Sequence, residues 1–428
     1  MKEQYAARER VSSERQILHF NDFFALWFSL GIGLAVLQTG ALLSPGMGLA
    51  DSLVAIIGGT FIGVILLVMI GRYGQRDGLS SMALIQRTLG RRGTLVPAFL
   101  NLLQLIGWGA FEIVLMRNAA TRLIDQWWGP TWFGSIGFWT LAFGALATLQ
   151  AIMGPLTWVR VLLRRIGIWV VLTGCLWLSI YWFRHFSLTD VLHEKGNGTV
   201  PVALGFDIVI SMALSWLPLV ADYTRFGHHS RSTVAGTALG YFIGTVWIMA
   251  LGAAYIVVLP DHQGMTHLMV SLSLAAMGLP LLLILFDETE NAFAAIHSAA
   301  VSASLLTTIS TVWLAIIFGI ISTLVAWLVP LSAYLDFLLW IGSVFAPLFA
   351  LLMIDCGFYR IKREPNRYSV GIAMIAWGAG IATYHLVAYE LPHWGATIPS
   401  MFVAGGVYLL LRAFCNSYFP QIRSIENS

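Results

Sequence analysis

Runs of about twenty apolar residues recur along this 428-residue chain, and they leave it few ways to fold. A run of that length spans the hydrocarbon of a bilayer as a helix. There, every backbone N–H and C=O must be paired within the span, which excludes open sheets and loops. We read twelve such runs, at 24–46, 53–71, 95–116, 131–154, 161–183, 203–221, 233–259, 274–304, 309–329, 333–356, 369–389 and 395–414. Only 11% of residues are charged, against about 25% in a soluble domain. The expected fold class is an all-α polytopic membrane protein with twelve transmembrane helices.

Lysine and arginine set the orientation, because they collect on the cytoplasmic side. With the N-terminus inside, all but Arg117, Arg122, Arg184 and Lys195 of the 24 fall on cytoplasmic segments. Changing the helix count by one would scramble that bias. Both ends are thus expected in the cytoplasm: a polar segment 1–23, with no cleavable signal, and a tail 415–428. The stretch Leu79 to Gly90 is amphipathic and reads as a cytoplasmic surface helix. The sequon Asn197-Gly-Thr199 falls outside, and a single sequon says little. The cysteines Cys175, Cys356 and Cys415 form neither a metal spacing nor a disulfide framework and read as packing residues.

Against this apolar background, the stretch Ile284-Leu-Phe-Asp-Glu-Thr-Glu-Asn-Ala-Phe293 stands out. A carboxylate at the bilayer centre costs about 2.5–3.5 kcal/mol, and intramembrane acids mark ion or substrate pathways. Asp287, Glu288, Glu290 and Asn291 cover much of one side of a helix, which is too wide for one ligand. Asn291 with one acid would face a substrate, while the others hold a cation or proton. The bland alternative is a wet loop between two short helices. His297 could serve as a relay, but a lone histidine is more often a satisfied packing residue.

Three other spans carry candidates. Leu30-Gly-Ile-Gly-Leu-Ala-Val-Leu-Gln-Thr-Gly40 sets Gln38 and Thr39 among three glycines, for close packing or for an unwound stretch lining a cavity. In span 3, Gln104, Trp108 and Glu112 lie four apart on one helix face. An indole face is a stacking platform for a flat ring, and a carboxyl one turn away matches an aminopyrimidine edge. Span 6 holds Ser211, Ser215, Trp216 and Pro218. Proline removes a backbone donor, so a break just before it is expected. The following Ala221-Asp-Tyr-Thr-Arg-Phe-Gly227 should cap the helix and grip the cytoplasmic face. Asp355 reads as a salt-bridging partner at a helix end.

In order and spacing, the chain resembles the nucleobase–cation symport-1 family, cytosine-permease branch. The residues that carry this are Gly78-Leu79, Gly90-Arg-Arg-Gly93, Gly107-Trp108, Asp222-Tyr-Thr-Arg-Phe-Gly227, Asn291-Ala292, Pro347 and Asp355. Ser215-Trp-Leu-Pro218 and Asp287-Glu-Thr-Glu-Asn291 are similar to the CytX-type subgroup, carriers of hydroxymethylpyrimidine, a thiamine precursor. The resemblance implies a LeuT-type fold. Two inverted five-helix repeats, 24–183 and 203–356, would have spans 1 and 6 broken at the midplane, and two extra helices would cover 369–414. It implies that Trp108 stacks on the base, while Ser211 to Trp216 and Asn291 bind its edge. Relatives that use sodium present hydroxyl residues on span 8. Here Asp287 and Glu288 stand there instead, and the aromatic ring that span 6 supplies in relatives is displaced to Trp216.

The expectation is a secondary active transporter of the bacterial inner membrane, importing hydroxymethylpyrimidine or, next, cytosine by cation-coupled alternating access. Substrate would contact Trp108, Glu112, Gln104, Ser211, Ser215, Trp216, Asn291 and Gln38. The coupling ion, sodium or a proton, would sit at Asp287, Glu288, Ala35 and Glu290, opposite a break near Ala35 to Thr39, with sodium itself at Asp287 and Glu288. No organic cofactor, nucleic acid or obligate protein partner is implied. The alternatives are a passive facilitator or channel and a membrane-embedded enzyme. The latter finds no His-Glu-x-x-His or Gly-x-Ser-x-Gly string, and no phosphate loop for an ATPase motor is present.

Overall fold

The computed structural model describes residues 5–154, 167–258, 272, 278–359 and 365–418. Among the described residues the chain is helical, with no strand beyond an isolated bridge between Leu18 and Gly227. In chain order the principal helices are α1 (Phe20–Leu30), α2 (Leu34–Leu43), α3 (Leu49–Asp77), α4 (Ser81–Gly93), α5 (Leu95–Trp128), α6 (Ile136–Met153) and α7 (Ile168–His185). Then follow α8 (Val202–Leu214), α9 (Leu217–Thr224), α10 (Ser230–Val257), α11 (Leu279–Ala303), α12 (Thr311–Val325), α13 (Tyr334–Met353), α14 (Arg367–Glu390) and α15 (Thr397–Tyr418). Among the described residues, eight spans are long and apolar enough to cross a membrane, nine with α1 and α2 counted as one. Helices α7, α11 and α12 also occupy the expected runs at 161–183, 274–304 and 309–329. The basic positions Arg160, Arg164, Arg165, Arg360, Lys362, Arg363 and Arg423 lie outside the described residues.

The first span is broken, bent by 56° between α1 and α2. The break lies at Gly31–Gly33, not near Ala35 to Thr39, which are helical within α2. Gly33 is extended, with φ 176°, a conformation any residue adopts. What demands glycine is space, because a Cβ there would lie 2.7 Å from Asn291 Nδ2 and 2.9 Å from Glu288 Oε2. The span 6 break falls at Ser215–Trp216, between α8 and α9, just before Pro218. It is mild. Both residues keep helical dihedrals, and Val202–Thr224 continues as one span.

Close packing fixes the angle at which α1 lies on α10. Gly236, Gly240 and Gly244 recur every four residues on α10, and a Cβ at each would approach Phe20 O, Phe24 O and Phe28 O to 2.6, 2.5 and 2.5 Å. The phenyl rings of those same residues stack along α1 at 6.0 and 5.7 Å. With no hydrophobic drive between helices in lipid, such small-residue contacts supply the association.

The amphipathic stretch expected on the surface is not there. Most of α4 is buried, including Ser81, Met82, Leu84, Ile85 and Leu89. Its polar face is used inward. Ser81 N–H donates to Asp222 Oδ1 at 3.3 Å, and Ala221 N–H donates to Ser81 Oγ at 3.0 Å. The α9 exit, expected to cap the helix and grip the cytoplasmic face, holds the N-terminal segment. Arg225 is fully buried and donates to the carbonyls of Tyr5 and Ala6 at 3.2 Å each. Asp355 pairs with Arg412 of α15 at 2.8 Å, both buried, while Tyr408 donates to the same carboxylate.

Candidate functional site

α5 and α11 lie side by side, and α2 and the α8–α9 junction close the space between them. Trp108 and Glu112 of α5, Ser215 and Trp216 of the junction, and Asn291 of α11 line one central pocket with Val36, Leu105, Met212, Leu219 and Ala295. Its free volume is about 20 Å³, room for about one water, so the walls must part to admit a ring-sized ligand. Five residues singled out in the sequence thus meet at one cavity, from three segments remote in the chain.

Helix spacing puts Glu112 one turn beyond Trp108 on the buried face of α5. The Trp108 ring meets Tyr334 edge-on at 5.9 Å and Phe337 at 5.5 Å. Trp216 is held edge-on against Trp27 of α1 at 5.6 Å. Four buried polar atoms of the pocket's residues, Trp108 Nε1, Trp216 Nε1, Glu112 Oε2 and Asn291 Oδ1, have no hydrogen-bond partner in the protein. Buried polar groups are ordinarily paired, so donors and acceptors here are left to a ligand.

Gln104 does not line the cavity. Leu219 N–H turns to Trp216 O, which leaves Ser215 O outside the helical ladder. Gln104 Nε2 donates to that oxygen at 2.8 Å and fixes the junction. Ser215 Oγ is committed locally, donating to Met212 O at 2.6 Å. Ser211 stands apart from the cavity wall, beside Gly342 and Tyr384. Gln38 is buried but likewise outside the lining.

A second polar group adjoins the pocket at the α1–α2 break. Glu288 Oε2 accepts from Leu34 N–H, the first amide of α2, at 2.6 Å. That is a carboxylate at a helix N-terminus, where exposed amides and the helix dipole favour negative charge. Asn291 Nδ2 donates to Ile32 O at 3.4 Å, and Glu290 accepts from Ser29 Oγ at 2.9 Å. Ala35 O accepts from both Thr39 Oγ1 at 2.9 Å and Tyr334 Oη at 3.0 Å. Glu112 Oε2 in the pocket and Glu288 Oε1 at the break are both buried with no hydrogen-bond partner in the protein. Asp287 is in α11, but its side chain lies outside the described residues. His297 is buried and stacks on Phe293 at 5.8 Å. Among the described residues no group of three or more His, Cys, Asp or Glu could hold a metal ion.

Sequence reasoning missed Tyr334, which joins the aromatic wall to Ala35 O. Nothing in its neighbourhood, Leu331-Ser-Ala-Tyr-Leu-Asp336, marks it.

A bundle of membrane-spanning helices, a broken first span and a pocket deep beside that break define a multi-pass membrane carrier. The chain belongs to the family described as permease for cytosine/purines, uracil, thiamine, allantoin, whose pattern matches residues 10–368. It is therefore a permease of the nucleobase–cation symport-1 type. It is 24% identical to the cytosine permease of Escherichia coli (strain K12) over 404 residues, 89% of this chain and 88% of that one. It is 27% identical to the hydantoin permease of Microbacterium maritypicum over 151 residues, 35% of this chain and 29% of that one. Its fold superposes on that of Mhp1, a nucleobase–cation-symport-1 family transporter in a closed conformation with bromovinylhydantoin bound. The TM-score is 0.82 at 17% identity, covering 98% of this chain and 97% of that chain.

Proposed function

We propose that this permease imports a flat, amine-bearing heterocycle across the bacterial inner membrane, coupled to a cation and by alternating access. The first candidate is hydroxymethylpyrimidine, the second cytosine. The observation that carries this is the pair of partnerless buried atoms, Trp108 Nε1 and Asn291 Oδ1, on residues that share one aromatic-walled pocket. A base stacked on Trp108 presents a ring nitrogen or carbonyl to the indole N–H and an amine to the Asn291 carbonyl. Glu112 faces the same edge, and Trp216 closes the opposite side. Gln104 acts through the junction it holds, and Ser211 and Gln38 support the helices rather than the ligand. The coupling ion belongs at Glu288, at the mouth of the α1–α2 break. Residues 24–183 and 203–356 would be the two moving repeats, and 369–414 a flanking pair.

The test is a thermal-shift screen of the purified chain against hydroxymethylpyrimidine, cytosine, uracil, purines and hydantoins, followed by uptake of the strongest binder. One of the first two should raise the melting temperature most, and Trp108→Ala should abolish that shift. A stronger shift by a hydantoin or purine would replace the substrate. A shift unchanged in Trp108→Ala would remove the pocket from the mechanism. Accumulation against a gradient, collapsed by an uncoupler, separates this carrier from a passive facilitator.

A further inference from the structure

We propose that a second cavity, at the end of the bundle opposite the N-terminal segment, binds a primary ammonium ion carried on an apolar or aromatic body. The site lies outside the transport reading above and stands without it.

The cavity is enclosed by α8, α13, α14 and the turn that leads into α15. Its free volume is about 400 Å³, against about 20 Å³ in the central pocket, and falls in the range of small-molecule sites. Asp207 of α8 and Asp336 of α13 both line it, and among the described residues no lysine or arginine does. A cleft lined with one sign of charge gathers ions of the other.

The Asp207 corner is a fixed one. Its carboxylate is buried and accepts from Ala396 N–H and, at 3.0 Å, from Thr397 N–H. Those amides open α15, where exposed N–H groups favour negative charge. Gly395 turns the chain there with φ 70°, in the left-handed region that favours glycine. A carboxylate offers about four lone-pair positions, so two amides leave it able to accept further donors.

The remaining walls select an organic ammonium over a bare metal ion. Among the described residues no group of three or more His, Cys, Asp or Glu could hold a metal. Trp340 of α13 and Tyr384 of α14 line the cavity with the acids, and aromatic faces attract cations. Leu204 and Leu339 give apolar wall to the rest of the molecule. Tyr384 favours an ammonium that carries N–H groups over a quaternary one. It is buried, and its hydroxyl has no hydrogen-bond partner in the protein, whereas buried polar groups are ordinarily paired. Two sources supply such an ion: a soluble amine, and the headgroup of phosphatidylethanolamine.

The test titrates benzylammonium into the full chain in phosphatidylcholine nanodiscs, with benzyl alcohol as the neutral control. Benzylammonium should bind where benzyl alcohol does not, and salt should weaken it. Asp336→Asn and Trp340→Leu should each weaken it about three- to tenfold. Asp336 is exposed, so its change leaves the packed core in place, and the comparison of amine with alcohol needs no variant. Native mass spectrometry from discs that also hold phosphatidylethanolamine separates the sources. Retention of that lipid, lost in Asp336→Asn and displaced by benzylammonium, identifies the headgroup. Benzylammonium binding with no retained lipid identifies a soluble amine. Equal binding of benzyl alcohol, affinity unchanged in both variants, or binding of neither amine nor lipid overturns the proposal. So does benzylammonium binding that only Trp108→Ala abolishes, since that places the cation in the central pocket. Failure of base uptake would remove the transport reading and leave this result standing.

Discussion

Replacing Gly33 by alanine probes the contact between the α1–α2 break and α11. The new methyl would sit 2.7 Å from Asn291 Nδ2, 2.9 Å from Glu288 Oε2 and 3.4 Å from Glu288 Oε1. Carbon settles about 3.5 Å from its neighbours, so both side chains must withdraw by roughly 0.6–0.8 Å. The backbone itself is not strained, because φ 176° is open to alanine. The Leu34 N···Oε2 contact, now 2.6 Å, would stretch toward the ~3.2 Å at which N–H···O bonds fade. A hydrogen bond to a charged group is worth about 1.5–3 kcal/mol, and overpacking costs about 1–3 kcal/mol. The two overlap, because withdrawal relieves the clash, so the expected loss is about 2–4 kcal/mol. At ~2.1 cal/mol/K per residue, a chain of this length loses about 1 °C per kcal/mol. The melting temperature should drop by about 2–4 °C, and base binding should weaken with Asn291 displaced. Gly371→Ala, which meets nothing within 4 Å on α14, is the control and should melt no lower than wild type. A Gly33→Ala protein that melts with the control and binds base with wild-type affinity would refute the claim that the break presses on α11.

Arg412→Ala should cost about 3–5 kcal/mol, since it strands the fully buried Asp355 carboxylate without its cation. Thermal unfolding reads this, and a double change to apolar residues of similar volume should recover most of the loss. Arg225→Ala removes the donors to Tyr5 O and Ala6 O and should speed proteolysis within the first twenty residues several-fold. Unchanged cleavage would show that the segment is held by its other contacts, such as Ser80 Oγ to Ala7 O at 3.0 Å.

Much of the architecture was legible because a bilayer allows little else. Apolar run length yields helices directly, and the polar residues it interrupts are conspicuous. Trp108, Glu112, Ser215, Trp216 and Asn291 could be singled out for that reason, and they meet at one cavity. The α10 glycines at 236, 240 and 244 were also readable as a four-residue repeat of small residues, though nothing in the pattern told which helix would cover them.

Other features depend on neighbours that the local sequence does not name. The stretch Leu79 to Gly90 has the composition of a surface helix, yet α4 is buried because the α9 exit and the N-terminal segment meet its polar face with hydrogen-bond partners. The break in the first span sits at Gly31–Gly33 rather than later, because Glu288 and Asn291 of α11 occupy the space where side chains would be. Ser211 and Ser215 are one turn apart, but only Ser215 reaches the pocket.

By itself, the sequence determined that the chain is a bundle of membrane helices with acids, amides and indoles buried at chosen depths. Hydropathy and periodicity are properties of single segments, and a segment reports its own burial. Tertiary structure alone decided that Trp108 and Asn291, 183 positions apart (291 − 108), line one pocket, and that Tyr334 closes on Ala35. Such pairings depend on how helices rotate and cross, which is set by contacts among all of them at once.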